Sequence, residues 1–171
     1  MKRFLLLLVM GTIILASISI NEAFAQRVVK KFNYAITGNP IALAFGKFPF
    51  SLEYDLNNEN SITAGLRYSN YSGWSGIGIT ASYRWYVFQE QYKMLKGLSF
   101  GPLVTLDFLS YETASFKNGT PLGVGGEFAY KWIFDGFVVE PIIQVHFSVI
   151  SFDGSEKYRP FGLGINVGYA W

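Results

Sequence analysis

The last residues of the chain alternate strictly between two kinds of side chain. Between Arg159 and Trp171, bulky apolar or aromatic residues occupy every second position, with mostly glycine and alanine between them. Successive side chains of a β-strand point to opposite faces, so a period of two predicts a strand with one bulky apolar face and one face of small residues. The bulky positions are Phe161, Leu163, Ile165, Val167, Tyr169 and Trp171.

Similar alternation recurs along the chain and predicts eight strands, whereas helical spacing of apolar residues is scarce. The strands are Ile36 to Phe45, Pro49 to Leu56, Ser61 to Ser69, Gly76 to Phe88, Gly97 to Tyr111, Pro121 to Phe134, Gly136 to Ile150 and Pro160 to Trp171. The predicted fold class is therefore all-β, an eight-stranded antiparallel up-and-down barrel. Pro40, Pro102 and Pro141 fall inside these strands, and we expect bulges or strand starts there because proline cannot donate to a ladder.

Charged residues within the predicted strands all lie on the face opposite the apolar one. They are Glu53, Asp55, Arg67, Arg84, Asp107, Glu127, Lys131 and Glu140. A soluble barrel of the lipocalin kind turns its apolar face inward. A transmembrane barrel turns it outward, where a Lys or Arg near the bilayer midplane costs roughly 2 to 4 kcal/mol. Because the charged face here is also rich in glycine and alanine, which suits a crowded lumen, we predict a transmembrane β-barrel.

The start of the chain has the order of a secretory signal peptide. Met1-Lys2-Arg3 precedes an apolar run from Phe4 to Ile20, and Ala23-Phe24-Ala25 matches a cleavage site. We therefore predict a cleaved signal peptide over residues 1–25 and a single barrel domain over residues 26–171. The alternative is an uncleaved membrane anchor, because about 17 to 25 apolar residues can span a bilayer.

The interior of an eight-stranded barrel is barely wide enough for its own side chains. We therefore expect the eight charged residues, together with Gln144 and His146, to form a polar network that plugs the lumen. Asp135-Gly136 predicts a two-residue type I′ turn. The resulting opposite pairs are Lys131 with Glu140, Glu127 with Gln144, and Gly125 with His146.

Composition excludes several kinds of function. The chain has no cysteine, so it contains neither disulfides nor thiolate metal sites. Positive and negative charges nearly cancel, which argues against nucleic-acid binding because that requires clustered positive charge. A single histidine and sparse loop carboxylates predict no metal site, and the glycine clusters lack the strand-to-helix turn of a phosphate-binding motif. We expect no cofactor.

The alternating terminal strand that ends on an aromatic residue resembles the signal by which the outer-membrane assembly machinery recognises its clients. With the signal peptide and eight alternating strands, the chain resembles the small bacterial outer-membrane barrels of the OmpA transmembrane-domain and OmpX type over essentially its whole mature length. The resemblance implies location in the bacterial outer membrane. Its implied partners are outer-membrane lipid and the assembly machinery, the latter recognising Phe161, Leu163, Ile165, Val167, Tyr169 and Trp171.

One weak catalytic pattern occurs in the predicted seventh strand. His146 and Ser148 share a face, as in the His-x-Ser pair of the outer-membrane lipid A deacylases, and Glu140 lies on the same face. A nucleophilic serine needs a base within reach, itself oriented by an acid, and Glu140 is six residues from His146. We therefore expect a structural or surface-interaction barrel without enzymatic activity. The alternatives are a narrow gated pore, a lipid A-modifying enzyme using His146 and Ser148, and a soluble lipocalin-like binder.

Overall fold

A computed structural model describes residues 32–57, 59–71, 74–88, 95–111, 117–150 and 161–171. These residues form strands β1 Tyr34–Gly38, β2 Lys47–Asp55, β3 Asn60–Tyr71, β4 Trp74–Phe88, β5 Gly97–Tyr111, β6 Lys117–Gly119, β7 Leu122–Phe134, β8 Phe137–Ile150 and β9 Phe161–Ala170. One helix, α1, covers Pro40–Leu43. The predicted signal peptide over residues 1–25 lies outside the described residues.

Eight of the strands close into a ring in which every neighbouring pair is antiparallel. The ring runs β1, β2, β3, β4, β5, β7, β8 and β9, and β9 pairs again with β1. The short strand β6 pairs with the end of β5 outside this ring. The prediction of a closed eight-stranded up-and-down barrel is confirmed.

The first and the last residues that the structure describes meet at one end of the ring. The amides of Asn33 and Tyr34 donate to the carbonyl of Trp171 at 2.9 and 3.1 Å, and the Trp171 amide donates back to Tyr34 at 3.0 Å. The Ala170 amide donates to the carbonyl of Gly136 at 2.7 Å, so the β7–β8 turn lies at the same end. We call this the terminal end, and the opposite end, which holds Gly46 and β6, the loop end.

The first predicted strand, Ile36 to Phe45, extends further toward the loop end than the observed strand β1. Pairing of β1 stops at Gly38, and the following residues form helix α1. The side-chain oxygen of Asn39 accepts hydrogen bonds from the amides of Ile41 and Ala42 at 3.0 and 3.1 Å. Pro40 stands in the first turn of the helix, where its missing N–H costs nothing. The prediction of a strand to Phe45, with a bulge or strand start at Pro40, is therefore wrong.

The prolines at positions 102 and 141 lie inside continuous strands. Pro102 faces Gly126 of β7, and the β4–β5 pairs on its other side keep one register, Ser82 with Leu103 and Trp85 with Phe100. Pro141 likewise faces Ile165 of β9. The expected bulges or strand starts at these two prolines are wrong, because the strand register is the same on both sides of each. Each proline instead leaves a gap in one of its two ladders, β4–β5 at Pro102 and β7–β8 at Pro141, as the missing N–H requires.

The turn between β7 and β8 has the predicted form. Both Asp135 and Gly136 have positive φ, at 53° and 100°, as a type I′ turn requires. The register places Gly125 opposite His146 and Glu127 opposite Gln144. The predicted hairpin register is therefore the one observed.

Replacing Gly136 with alanine should lower the free energy of unfolding by about 1 to 2 kcal/mol, because the residue has positive φ. An added Cβ would also lie 2.6 Å from the Tyr169 ring. The measurement is urea unfolding of the protein refolded into lipid bilayers. Gly126→Ala is the matched control, since its Cβ would lie 3.4 Å from the Gly101 oxygen in ordinary contact. Equal stability of the two variants would contradict the turn assignment.

The outer surface of the ring is apolar and the inner surface is polar. Outward-facing side chains on every ring strand are large hydrophobic groups that remain exposed, for example Leu66 at 61% and Leu163 at 68%. Inward-facing charged side chains are buried, with Lys131 at 0% and Arg84 at 3% exposure, except Arg67, which is half-buried. This distribution reverses that of a water-soluble barrel. Among the described residues, no helix has the length and apolar character needed to cross a membrane.

Candidate functional site

Five charged side chains from four strands meet inside the barrel. They are Glu53 of β2, Arg84 of β4, Glu127 and Lys131 of β7, and Glu140 of β8. Each sits on the inward face because its position has the parity of the small residues on its own strand. We call these five residues the central cluster.

Arg84 joins three strands through its guanidinium group. Its Nε donates to Glu127 Oε1 at 2.6 Å, and its Nη1 donates to Glu53 Oε2 at 2.8 Å and to Glu140 Oε1 at 2.7 Å. The planar group has fixed donor directions, so it can hold several carboxylates at once where a single ammonium group cannot set their orientation. Arg84 is therefore the hub of the central cluster.

Lys131 completes the cluster toward the terminal end of the barrel. Its Nζ donates to Glu53 Oε2 and to the hydroxyl of Tyr86 at 3.1 Å, and lies 3.3 Å from Glu140 Oε1. The Tyr86 hydroxyl donates to Glu53 Oε1 at 2.6 Å. The fully buried Lys131 thus has acceptors around it, as a charge removed from water requires.

Neutral polar side chains satisfy the remaining carboxylate oxygens. Ser61 donates to Glu53 Oε1 and Ser82 to Glu127 Oε1, both at 2.5 Å. The second oxygen of two carboxylates has an amide donor. Gln144 donates to Glu127 Oε2 at 3.0 Å, and Asn166 donates to Glu140 Oε2 at 2.8 Å. Every oxygen of the three carboxylates therefore accepts at least one hydrogen bond, so none is left buried and unsatisfied.

The sequence prediction of the polar network missed four of these residues. The predicted network contained only charged residues, Gln144 and His146. The side chains that also contact the central cluster are those of Ser61, Ser82, Tyr86 and Asn166. Their parity within the strands is the signal that would have found them, because all four alternate with outward-facing apolar residues. Tyr86 carries the least obvious signal, since aromatic residues here also face outward.

A second ion pair lies closer to the loop end. Nη2 of Arg67 donates to both oxygens of Asp107, at 2.6 and 2.7 Å. A cavity of about 80 Å³ lies in the lumen, with Arg67 and Arg84 in its wall. The carboxylate-bearing Glu127 also lines it, together with neutral polar residues that include Thr37, Ser51, Thr63, Gln144 and Asn166.

Asp55 and His146 lie on the same inward face but at either end of the central cluster. Asp55 is two residues beyond Glu53 toward the terminal end, and His146 is two residues beyond Gln144 toward the loop end. Both are buried. The ten residues of the predicted network thus divide into the central cluster with Gln144, the pair Arg67–Asp107, and these two outlying groups.

The barrel is similar in fold to a solved structure. The crystal structure of the N-terminal β-barrel domain of Pseudomonas aeruginosa OprF is similar, with a TM-score of 0.54 at 14% sequence identity, covering 82% of this chain and 98% of that chain. The chain has the OmpA-like barrel fold. No family model and no curated protein matches it.

In this OmpA-like barrel the three residues of the weak catalytic pattern, His146, Ser148 and Glu140, contact different partners. The Ser148 hydroxyl donates to the carbonyl of Ile150 at 2.9 Å, and His146 lies opposite Gly125. About 20 Å of strand separates His146 from Glu140, at ~3.4 Å per residue. The carboxylate of Glu140 is bound by Arg84 and Asn166. The three residues are not brought together as a nucleophile, base and acid.

Metal ligands do not cluster in the part of the chain that the structure describes. No group of three or more histidine or carboxylate side chains is placed there to hold a metal ion. Two of the sparse loop carboxylates, Asp153 and Glu156, lie outside the described residues. The carboxylates of the central cluster already bind Arg84 and Lys131, which occupy the space that a cation would need.

The residues of the predicted assembly signal lie on the last strand of the barrel. Leu163, Tyr169 and Trp171 are exposed on the outside. Trp171 stacks on Tyr34 at 5.8 Å and on Tyr169 at 6.5 Å between ring centroids. The side chain of Phe161 lies outside the described residues. The terminal aromatic residue therefore contacts the first strand of the ring.

Proposed function

We propose that this chain is an outer-membrane β-barrel protein of a bacterium, with a structural or surface-interaction role and no catalytic activity. The observation that carries the proposal is the reversal of the two faces. An apolar outer surface without strand charges is suited to lipid, because charged groups there cost roughly 2 to 4 kcal/mol at the midplane. Pairing of β1 with β9 closes the ring over four residue pairs, as hydrocarbon requires because an unpaired strand edge there is costly.

We further propose that the central cluster plugs the lumen. Two cations are held among three carboxylates, and each carboxylate oxygen has a donor. Such a network is stable in a low dielectric only while it is complete, because removing one partner leaves buried charge without compensation. The plug ties β2, β4, β7 and β8 together across the barrel. This structural role is favoured over the narrow gated pore, which would require these buried ion pairs to separate.

The proposed partners follow from the outer surface and the last strand. Outer-membrane lipid contacts the apolar face, and the aromatic residues Tyr34, Tyr169 and Trp171 lie together at the terminal end, as expected for an interfacial girdle. We assign β9 as the strand that the outer-membrane assembly machinery recognises. With the terminal end facing the periplasm, the loop end is presented outside the cell for surface contacts.

The proposal predicts that the chain fractionates with outer membranes and stays there after washing with high salt and carbonate. It also predicts faster gel migration without boiling, because a closed barrel remains folded in detergent. The measurement is fractionation of expressing cells with gels of heated and unheated samples. Release of the chain by salt or carbonate alone would contradict the membrane location and favour the lipocalin-like alternative.

A further inference from the structure

A group of buried apolar side chains lies inside the barrel between the central cluster and the terminal end. Tyr86, Ile133 and Val138 each lie two residues from a member of the central cluster on the same strand, on its terminal side, so they face inward. Ala35 and Ala170 pair with each other in the β1–β9 ladder. All five side chains are at most 8% exposed. They form one cluster with two residues that lie outside the strands.

Phe32 and Leu95 are these two residues. Phe32 precedes β1, and Leu95 lies two residues before β5. Both are buried, and Leu95 is 0% exposed. Asp55 and Ser61, the inward pair of β2 and β3 at this end, are buried as well. We call the seven apolar residues the apolar layer. Because the interior of an eight-stranded barrel barely holds its own side chains, two further large ones fill much of this section.

The backbone of Leu95 is in the left-handed region, with a φ of 58°. This conformation is unfavourable for a residue with a branched side chain, and it persists only where the surrounding structure holds it. The contacts that hold it belong to a side chain that is fully buried in the apolar layer. Gly97 follows with a φ of 115° and begins β5. The connection thus takes an unfavourable turn that places Leu95 inside the barrel.

The apolar layer lies directly against the charges of the central cluster. Tyr86 belongs to the apolar layer through its ring, while its hydroxyl donates to Glu53 Oε1 at 2.6 Å. Lys131 Nζ lies 5.8 Å from the centroid of the same ring. Lys131 and Glu140 are both buried next to this layer. An apolar constriction excludes water and ions, because its side chains cannot replace the hydration of an ion.

We propose that the apolar layer is a seal that closes the lumen to water and ions at the terminal end, with Leu95 as its central residue. The inference rests on the proposed plug of the central cluster and adds a second barrier beside it. The two barriers differ in kind, because the plug fills the lumen with charges that already have partners, whereas the seal excludes water. The seal also strengthens the plug, since ion pairs are stronger where water is absent.

The test measures how fast a thiol next to the seal reacts with methyl methanethiosulfonate, because the chain has no cysteine of its own. Ser99 is 1% exposed and pairs with Tyr86, so Ser99→Cys places the thiol beside the apolar layer. The protein is refolded in detergent micelles, where the reagent reaches both ends of the barrel, and the modified fraction is measured by mass spectrometry. We expect slow reaction while Leu95 is intact.

Adding Leu95→Asn should speed the reaction of Ser99→Cys more than about tenfold, because an unpaired amide among apolar side chains favours local opening and entry of water. Asparagine has nearly the shape of leucine and adopts positive φ more readily, so the backbone turn is retained. Leu95→Gly is a second variant, which relaxes the backbone and removes the side chain. It should speed the reaction as well.

Two control variants show whether the effect is local to the seal. Leu98→Asn makes the same change three residues further along, beside the inward Ser99 and therefore on the outer face of β5. It should leave the rate of Ser99→Cys unchanged. Thr80→Cys places a thiol in the wall of the lumen cavity, four residues from Arg84 toward the loop end. Its rate should not depend on Leu95.

Two outcomes would overturn the inference. They are fast reaction of Ser99→Cys while Leu95 is intact, and an unchanged rate in Leu95→Asn and Leu95→Gly proteins whose heat-dependent gel mobility shows that they are folded. Planar-bilayer recording of Leu95→Asn separates the seal from the plug, because the intact central cluster should still prevent ion flow. Ion flow with faster labelling would contradict the plug and support the seal. No ion flow with unchanged labelling would leave the plug standing, and only the seal would fail.

Discussion

Replacing Arg84 with leucine is expected to lower the free energy of unfolding by about 3 to 5 kcal/mol, the cost of breaking a buried ion pair by removing one partner. Arg84 holds Glu53, Glu127 and Glu140, and its side chain is 3% exposed. In the variant the central cluster would keep three buried carboxylates and one cation, Lys131, which contacts only Glu53 and Glu140 of the three. The measurement is urea unfolding of the refolded protein in lipid vesicles at neutral pH.

Arg67→Leu is the matched control for this prediction. It is the same substitution in the same lumen, but Arg67 forms an ion pair with Asp107, whereas Arg84 holds three carboxylates within the described residues. The Arg67 side chain is also 19% exposed, so solvent screens the loss of its charge. We expect a clearly smaller loss than for Arg84→Leu. Equal losses would mean that the central cluster does not act as a network. A stable Arg84→Leu variant would contradict its role as the hub.

A positive charge on the outside of the barrel should be tolerated only near its ends. Val104 of β5 faces outward. The aromatic pair Trp85–Phe100 lies toward the terminal end of the barrel, and Val104 is four residues further along β5 from Phe100. Val104 therefore lies near the middle of the apolar band. Val104→Arg should cost roughly 2 to 4 kcal/mol there. Val87→Arg, at the terminal end of β4, should cost only about 0 to 1 kcal/mol. Both are measured by urea unfolding in lipid vesicles.

This pair of substitutions separates lipid from water as the surroundings of the outer face. Both valines are similarly exposed, at 45% for Val104 and 47% for Val87. Around a water-soluble barrel both changes would be nearly neutral, because surface substitutions are usually within ±0.5 kcal/mol. Near-neutral results for both would therefore contradict the membrane location, whereas a cost that depends on depth is the property of a bilayer.

The division of faces could be predicted from the sequence because the pleat of a strand has a fixed period of two. One inward residue in each strand is enough to assign all the others, so Lys131 and Glu127 predict the orientation of Trp132 and Phe128. The hairpin at Asp135–Gly136 then fixes a register, since its two positive φ angles allow one loop length. Local rules therefore determine the strands, their faces and this turn.

The end of β1 was mispredicted because two local signals compete there. Residues 36–45 alternate weakly, which favours a strand, yet Asn39-Pro40 is a common start for a helix. The structure follows the second signal, with Asn39 as the cap. Propensity alone could not decide, because the helix also depends on space beside Gly164, which is 125 residues away in the sequence.

The partners inside the lumen could not be predicted beyond adjacent strands. Arg84 reaches Glu127 and Glu140 across the barrel, 43 and 56 residues along the chain. Such contacts depend on the stagger of all eight strands, because strand number and stagger together set how far each side chain rises along the axis. The sequence shows which residues enter the lumen but not the height at which each one lies.

The short first strand has a consequence for the order of folding. Ala35 pairs with Ala170, 135 residues later in the chain, so the last ladder cannot form until every other strand has been synthesised. Contacts at such separation are slow to form because loop closure costs entropy before it brings stabilisation. The β1–β9 ladder has four residue pairs, against twelve between β3 and β4. We therefore expect this ladder to form last during refolding and to show the fastest amide hydrogen exchange of the ring strands.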